Sequence, residues 1–289
     1  FPLAALAASA ACVLYPSPLI YHPGKLEITA IDVGQGDSLL LVSPLGKTLL
    51  IDAGGPVGGA QSSLSNFEIG EDVVSPVLWT RNIRHLDAIE LTHAHSDHMG
   101  GMPAVLRNFR PGGLWVGKNP PIPAYSELIE EAHSLGIPVD TWAAGDTFDF
   151  GGAQIEVLSP PRDYQPGLTP SNDDSLVIRV SYGRTSALLE GDAEARSEAR
   201  MLGEDLHADL LKVGHHGSKT STVPPFLAAV DPRYAIVSVG HRNPYGHPRM
   251  EVLGRLQDGH VRTFRTDAIG AVSFFLDGRS VTAAPLDQR

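Results

Sequence analysis

The stretch that decides the fold is Leu91-Thr92-His93-Ala94-His95-Ser96-Asp97-His98-Met99-Gly100-Gly101, which follows an apolar, strand-like run. It places three histidines and one aspartate within six residues. Because alternate residues of an extended segment point to the same side, His93 and His95 can chelate one ion. Asp97 and His98, where the chain turns toward a helix, can bind a second. Imidazole and carboxylate ligands suit zinc, manganese or iron, so the stretch predicts a metal centre.

The overall composition is that of an ordinary globular protein. The 289 residues are 42% hydrophobic and 19% charged, which argues against global disorder. The single cysteine, Cys12, excludes a disulfide framework and a cysteine-based zinc site. The net charge of -11 argues against a surface coated with basic charge for nucleic acid. The 12 histidines are numerous beside 22 lysines and arginines, and this again favours metal binding.

The amino end differs in composition from the rest of the chain. Residues 1–15 carry no charge, are too short for a complete membrane span of about 20 residues, and lack the basic start of a signal peptide. We expect the end of a transmembrane helix, with a signal-sequence remnant or a buried helix as alternatives. A proline-rich linker follows up to residue 24. Residues 25–289 are expected to form the folded domain.

The folded part contains two similar halves. Asp37-Ser38-Leu39, a hairpin with Gly46 and a strand ending in Asp52 recur as Asp174-Ser175-Leu176, a hairpin with Gly183 and a strand ending before Asp192. Two mixed βα halves predict an α/β fold in which two sheets pack face to face with helices outside. The functional residues are expected on loops at strand ends, where the two halves meet.

The His-x-His-x-Asp-His run resembles the signature of the metallo-β-lactamase fold, a four-layer αβ/βα sandwich of two related halves. The resemblance implies two divalent metal ions, ligated by a set of side chains that includes a bridging aspartate: His93, His95, Asp97, His98, Asp192 and His216. Asp192 matches the bridging position. Asp52 matches an early aspartate of the family, and we expect it to orient a ligand histidine or the loop.

Two departures from the family pattern bear on this site. Where many members have another histidine, the loop Pro170–Ser175 has none, so Asn172, Asp173 or water would complete the first metal site. The last histidine ligand is ambiguous among His215, His216 and His247. We expect His216 to be the ligand. The catalytic roles near the substrate are then expected from Asp97, His215 and His247.

A narrower resemblance covers Leu26 to Leu276. Asp32-Val33-Gly34-Gln35-Gly36-Asp37-Ser38, His215-His216-Gly217-Ser218-Lys219-Thr220-Ser221 and Asn243-Pro244-Tyr245-Gly246-His247-Pro248 occur in this order in the C-terminal domain of ComEC-type DNA internalisation proteins. The resemblance implies a nuclease domain of a membrane channel, on the extracytoplasmic side, that degrades the DNA strand that is not transported. Mn²⁺ is favoured and Zn²⁺ is the alternative. Single-stranded or duplex DNA would be the partner, and the isolated domain would be monomeric.

Positive charge is concentrated late in the sequence. Between Lys212 and Arg249 five basic residues face one acidic residue, a local charge of +4. We expect a phosphate-binding rim there, formed by Ser218, Lys219, Arg242 and Tyr245. Two rival functions remain: another hydrolase of the same fold, such as a choline-phosphate esterase or a lactonase, and a non-catalytic DNA-guiding domain. A closed pocket would favour the first, and failure to bind metal the second.

Overall fold

The computed structural model describes residues 18–56 and 67–285, and the stub predicted for residues 1–15 lies outside them. The described residues form two sheets of eight and seven strands. The strands are β1 Leu26–Ala30, β2 Leu39–Val42, β3 Thr48–Ile51, β4 Ala88–Leu91, β5 Leu114–Val116, β6 Val139–Thr141, β7 Thr147–Phe150, β8 Ala153–Ser159, β9 Val177–Tyr182, β10 Thr185–Leu189, β11 Leu210–Lys212, β12 Tyr234–Val237, β13 Arg262–Arg265, β14 Val272–Leu276 and β15 Val281–Pro285.

Six consecutive strands of each sheet share one topology. The first has the order β15-β14-β1-β2-β3-β4-β5-β6 and the second β13-β12-β11-β10-β9-β8-β7. In the first sheet β1, β2 and β3 are antiparallel neighbours, and β4, β5 and β6 continue in parallel with β3. In the second, β8, β9 and β10 are antiparallel, and β11, β12 and β13 continue in parallel. The predicted relation between the two halves is therefore present in the strand order and direction.

Helices cover the outer face of each sheet. They are α1 Ser75–Thr80, which follows a π-helical turn at Gly70–Val74, α2 Ser96–Met99, α3 Met102–Phe109, α4 Pro123–Ser134, α5 Ala195–Met201, α6 Pro224–Val230, α7 Met250–Asp258 and α8 Thr266–Ile269. Three of these helices, α3, α4 and α6, begin with a proline in their first turn, where the missing N–H has no intrahelical partner to lose.

Three apolar clusters hold the layers together. Alternate residues of β2 point to opposite faces, so Leu39 and Leu41 join the cluster between the sheets while Leu40 and Val42 join the cluster under the first set of helices. Residues such as Phe226 and Val252 form a third cluster between the second sheet and its helices. The architecture is the four-layer αβ/βα sandwich predicted from the sequence.

The segment ahead of β1 packs against the folded part. Leu19 and Tyr21 contact the cluster under the first set of helices. The backbone N–H of Ile20 donates to the carbonyl of Arg81 at 3.0 Å. Among the described residues, no helix is both long and apolar enough to cross a bilayer. Residues 18–24 thus form part of the packed structure, although the domain boundary after residue 24 stays a prediction.

The topology brings four strand ends to one edge of the sandwich. Strands β3 and β4 run in parallel, as do β10 and β11, so the loops that follow them leave the sheets at their carboxyl ends. The metal-ligand stretch follows β4, and the Gly214-His215-His216-Gly217 segment follows β11. Both sets of candidate ligands therefore meet where the two halves face each other, as expected for open α/β sheets.

Candidate metal centre

The loop after β4 is fixed by Asp52, the first residue after β3. The backbone N–H and the hydroxyl of Thr92 donate to the two carboxylate oxygens of Asp52 at 2.9 and 2.7 Å. The Nδ1 of His98 lies 2.7 Å from Oδ2 of Asp52. This contact occupies one ring nitrogen of His98 and leaves Nε2 facing Asp192 at 3.2 Å. Asp52 thus orients a ligand histidine, as metal-site carboxylates commonly do.

Four side chains converge on one candidate metal position. The Nε2 of His98 faces Asp192, and His98 also belongs to a group with Asp97 and His216 whose ligand atoms lie within 4.8 Å of one another. The Nε2 of His216 lies 3.5 Å from Asp97 and 3.4 Å from Asp192. The other nitrogen of His216 lies 3.0 Å from the carbonyl of Ser238, which fixes the ring. This position therefore combines two imidazoles with two carboxylates.

The second candidate position has fewer protein donors. His93, His98 and Asp192 form another group of atoms within 4.8 Å. The Nε2 of His93 lies 2.8 Å from Nδ1 of His95. The Oδ1 of Asn172 is buried and has no hydrogen-bond partner among the described residues, and Asn172 lines the same pocket as His95. The Oδ1 of Asp173 is also buried and unpaired among the described residues, but of the two only Asn172 lines this pocket.

The donor atoms fit a divalent cation. The Nε2 atoms of His98 and His216 and the Oδ1 of Asp192 are buried without a hydrogen-bond partner within residues 18–56 and 67–285. Buried polar atoms are seldom left unpaired, so the two Nε2 atoms that face Oδ2 of Asp192 mark a place that suits a cation, whereas Oδ1 of Asp192 lies toward Lys212. Borderline nitrogen ligands and hard carboxylates match zinc or manganese.

The charges of the centre are strongly coupled. Burial lowers the pKa of His98, but the carboxylates of Asp192 and Asp52 outweigh this and hold that pKa well above its ordinary value. Burial acts on His216 in the same way, and Asp192 and Asp37 raise its pKa to about 9. Burial raises the pKa of Asp97, but the hydrogen bond to His216 and the charge of His98 lower it to about 2. The raised pKa values of His98 and His216 thus reflect the negative charge of the carboxylates around them, which also suits a metal cation.

Asp37 is a central residue to which the sequence reasoning gave no role in the site. It is 1% exposed, and one carboxylate oxygen lies 3.5 Å from His216. Its backbone N–H donates to the carbonyl of Asp97 at 3.2 Å. A side chain at Gly36 would collide with that same carbonyl, and the φ of Gly36 is 134°. The Gly34-Gln35-Gly36 turn thus seats Asp37 directly against the metal-ligand loop, and the need for glycine there was the available signal.

Lys212 is the ionic partner of Asp37. Its ammonium group contacts Oδ2 of Asp37, lies 3.9 Å from Asp192 and donates to the carbonyl of Gly191 at 3.0 Å. Lys212 is fully buried, and although burial lowers its pKa, Asp37 and Asp192 raise it above the ordinary value. Lys212 was counted in the local charge of +4, but its charge is used inside the centre and does not contribute to a surface rim.

His215 stands at the wall of the site, held by Glu194. Its Nδ1 lies 3.1 Å from Oε1 of Glu194, and its Nε2 lies 3.9 Å from Asp192. The same oxygen of Glu194 accepts hydrogen bonds from Asn172 at 3.0 Å and from Thr220 at 2.9 Å. These contacts fix both the carboxylate and the imidazole. Glu194 was not singled out in the sequence because it belongs to no recognisable motif.

A pocket of about 460 Å³ opens above these residues. Its floor and walls include the following side chains: Gln35, His95, Asp97, Asn172, Asp192, His215, His216, Tyr245 and His247. Ala94, Ile122 and Pro170 supply apolar surface. Most of the residues expected at the site are thus brought together.

Other predicted residues lie around the pocket without lining it. Ser218 is 6% exposed, and its hydroxyl lies 2.9 Å from that of Thr220. Lys219 and Arg242 are exposed outside the lining. Asp173 belongs to the short 3-10 turn Asn172–Asp174 and is also outside the lining. Burial, together with the charges of His215 and His216, lowers the pKa of His247 to about 4, so this ring is neutral near pH 7.

The family follows from fold and site together. Residues 31–241 match the model of the metallo-β-lactamase superfamily, and the chain belongs to that superfamily. The fold is shared with the metallo-β-lactamase fold protein YhfI of Bacillus subtilis, at 13% identity and a TM-score of 0.55, with 90% of this chain and 100% of that chain covered. The superfamily and the donor set together support a metal-dependent hydrolase.

Within the superfamily the chain resembles competence proteins. It is 34% identical over 270 residues to ComE operon protein 3 of Bacillus subtilis and 32% identical over 265 residues to competence protein ComA of Neisseria gonorrhoeae. Both alignments cover 91% of this chain but 34% of the relative. The resemblance to ComEC-type competence proteins is confirmed, and the chain spans about a third of the length of these relatives.

Proposed function

We propose that the chain is a divalent-metal-dependent phosphodiesterase that cleaves DNA, as the domain of a ComEC-type competence channel that degrades the strand that is not transported. The observation that carries this proposal is the convergence of Asp97, His98, Asp192 and His216 below an open pocket. Two further histidines, His93 and His95, would supply a second position beside it; their ring nitrogens lie 2.8 Å apart, and His93 forms a group with His98 and Asp192. Such a pair of sites suits hydrolysis of a phosphodiester.

Two bound cations would supply an activated water and neutralise charge on the phosphate. The protein's own residues hold and orient the reacting groups. Asp52 fixes the ring of His98, and Lys212 neutralises Asp37 beside it. His215, fixed through Nδ1 by Glu194, presents Nε2 toward Asp192 and the pocket. From that position it can donate a proton to the departing sugar oxygen.

Manganese is the favoured cation in this proposal, with zinc as the alternative. Asp97 and Asp192 give the better formed position an equal share of oxygen and nitrogen donors. At the other metal position, Asn172 offers an amide oxygen in place of an imidazole nitrogen. Hard oxygen ligands shift preference from zinc toward manganese.

The acidic chain is compatible with a DNA substrate if binding is local and weak. Its net charge of -11 opposes tight unspecific binding by the free domain, whereas exposed basic residues such as Lys219, Arg242 and Arg249 follow the ligand loop. We propose that the membrane part of a longer channel protein delivers single-stranded or duplex DNA to this site on the extracytoplasmic side. The isolated domain is expected to act as a monomer.

The shape of the pocket bears on the rival functions. A choline-phosphate esterase or a lactonase would need a closed pocket with an apolar or cation-binding wall. Here the lining is mostly histidine, carboxylate and amide side chains, and the half-exposed Tyr245 stands at the edge. The open, largely polar lining therefore favours an extended substrate over a lactone. A non-catalytic DNA-guiding domain would have no need for two metal positions.

The test is a nuclease assay on the purified chain with Mn²⁺, Zn²⁺ or Mg²⁺, using labelled single-stranded and duplex DNA. We expect cleavage with Mn²⁺, weaker cleavage with the other ions, and two bound ions per chain by elemental analysis. Asp97→Asn and His98→Ala should lose both metal and cleavage. Asp163→Asn, an exposed carboxylate outside the pocket lining, is the matched control and should behave like the unmodified chain.

Three outcomes would count against the proposal. Cleavage that survives in Asp97→Asn would identify a contaminating nuclease. Turnover of a choline-phosphate ester or a lactone without any turnover of DNA would favour the rival hydrolases. Failure to bind any of the three ions stoichiometrically would favour the DNA-guiding domain.

A further inference from the structure

Tyr245 lies at the tip of a loop that is held in one shape by its own hydrogen bonds. The side-chain NH₂ of Asn243 donates to the carbonyls of Gly240 and His247 at 3.0 and 2.6 Å. The oxygen of the same amide accepts from the backbone N–H of His247 at 3.0 Å. Gly246 completes the turn with a φ of 65°. The backbone that carries the tyrosine is thus set before any ligand arrives, which lowers the entropic cost of binding to its ring.

The ring is backed by a row of imidazoles. Tyr245 stacks on His247 with a centroid distance of 5.7 Å and an interplanar angle of 28°. His247 meets His215 edge to face at 5.5 Å. His215 in turn lies 3.9 Å from the carboxylate of Asp192. A continuous aromatic wall therefore leads from the rim of the pocket down to the metal centre.

The outer end of this wall is open. Tyr245 remains 43% exposed although His247 covers part of it, and it contributes to the pocket lining. Ile122 and Pro170 provide apolar surface in the same pocket. A large aromatic side chain kept exposed, rigid and beside a charged centre is a typical stacking partner for a flat ligand.

We propose that the Tyr245 ring is a stacking platform for one unpaired nucleobase of the strand whose phosphate lies at the metal centre. The proposal rests on the proposed function, which it deepens by specifying what lies next to the scissile phosphate. Asp192 is 2% exposed and His98 fully buried, so the phosphate must descend into the pocket. A base in a duplex is already stacked and paired, whereas a base of a single strand is free to lie on the ring.

The test compares two short labelled DNA single strands, one with normal bases and one of the same length built from abasic tetrahydrofuran sugars. Binding is measured by fluorescence anisotropy with Mn²⁺ in the His215→Phe background, which removes the proposed proton donor but keeps an aromatic ring beside His247 and every proposed metal ligand. We expect the normal strand to bind more tightly. Tyr245→Ala should weaken binding of the normal strand by about 5- to 150-fold and abolish its preference over the abasic strand.

Two control variants separate stacking from other effects. Tyr245→Phe keeps the ring and should keep the preference for the normal strand. Met250→Ala removes a side chain that is 76% exposed on α7 and lies outside the pocket lining, and it should leave the preference unchanged. Thermal unfolding of each variant checks that the fold is intact.

The outcomes distinguish this inference from the proposed function. Equal binding of both strands, no detectable binding, or a preference that survives in Tyr245→Ala would overturn the stacking platform. Cleavage of DNA by the unmodified chain would then leave the nuclease proposal standing. Conversely, a base preference that depends on Tyr245 in a chain that cleaves no DNA would retain the platform and refute the nuclease.

Discussion

The buried ion pair between Lys212 and Asp37 permits a quantitative prediction. Lys212 is fully buried and Asp37 is 1% exposed. The Lys212→Met variant keeps most of the side-chain volume but leaves the carboxylate of Asp37 without its ammonium partner. Removing one partner of a buried pair typically costs about 3–5 kcal/mol, because the remaining charge stays desolvated.

The charged groups around Asp37 decide where in that range the loss of unfolding free energy falls. His216 lies 3.5 Å and His98 4.0 Å from Asp37, and both carry raised pKa values, so their charge partly replaces the lost ammonium. We therefore expect the lower end, about 3 kcal/mol. The double variant Lys212→Met/Asp37→Asn removes both charges and should cost clearly less than the single variant, since no unpaired charge remains.

The measurement is urea unfolding in EDTA, because bound metal would stabilise the native state by mass action and mask the effect. A loss of about 3 kcal/mol corresponds to a fall in Tm of about 5 °C for a chain of this length. Lys219→Met is the matched control, since Lys219 is exposed, and it should change the free energy of unfolding by less than about 0.5 kcal/mol.

Two results would refute the reasoning about this pair. The first is a Lys212→Met variant as stable as the Lys219→Met control. The second is a double variant whose cost equals the sum of the two single costs within about 0.5 kcal/mol, because independent sites add and coupled sites do not.

Three further predictions concern the metal centre. His215→Ala should lower kcat for DNA by about 10²–10⁴-fold while metal content by elemental analysis stays at the unmodified level; a loss of metal would instead make His215 a ligand. Asp52→Asn should weaken metal affinity by about 10–100-fold in calorimetric titration, because it no longer orients His98, and unchanged affinity would contradict that role. In the metal-free protein the pKa of His98 and that of His216, about 9, exceed the unfolded value of about 6.5. The folded state then binds more protons, so urea unfolding in EDTA should show stability falling from about pH 6.5 to 9, and stability that rises over this interval would refute the coupling.

The sequence was sufficient for the parts of the fold that depend on local pattern. The repeated hairpins with Gly46 and Gly183 predicted two related halves, and both glycines have positive φ values in the turns that join β2 to β3 and β9 to β10. Short edge elements were missed. Strands β6 and β15 have too few residues or too weak an alternation to stand out, and they form because a neighbouring strand offers free hydrogen-bonding groups.

The candidate site likewise contains residues that the sequence predicts and residues that it does not. The His-x-His-x-Asp-His run was recognisable because its spacing is local, and the assignment of ligands to it stays a prediction. Asp37, Glu194 and the burial of Lys212 were not predicted, because each depends on a contact between segments distant in the sequence. The contact of Asp37 with Lys212 joins residues from different halves of the chain. A lysine after two leucines has no local feature that distinguishes a buried ion pair from a solvated charge.

The pairing of β-strands shows why Lys212 is buried. In the first sheet Ile51 of β3 pairs with Glu90, and in the second Leu189 of β10 pairs with Lys212. Glu90 and Lys212 therefore occupy equivalent positions in the two halves. Both side chains point inward, between the two sheets. Burial raises the pKa of Glu90 well above its ordinary value, which favours the neutral acid, whereas Lys212 keeps its charge because Asp37 and Asp192 face it. Equivalent positions in the two halves therefore favour a neutral acid in the first sheet and a charged lysine in the second.

In both halves a buried carboxylate accepts hydrogen bonds that hold a ligand-carrying loop in place. Asp52, directly after β3, accepts from the backbone N–H and hydroxyl of Thr92. Glu190, directly after β10, accepts from the N–H of Gly214 at 2.8 Å and from the hydroxyl of Thr222 at 3.0 Å. Gly214 cannot carry the hydroxyl itself, because a Cβ there would lie 2.9 Å from the carboxyl carbon of Glu190. The hydroxyl therefore comes from Thr222, which is more distant in the sequence. The missing side chain at Gly214 leaves room for Glu190, which is longer than Asp52. One buried carboxylate in each half thus fixes one ligand loop, so the geometry of the metal centre depends on both halves folding together.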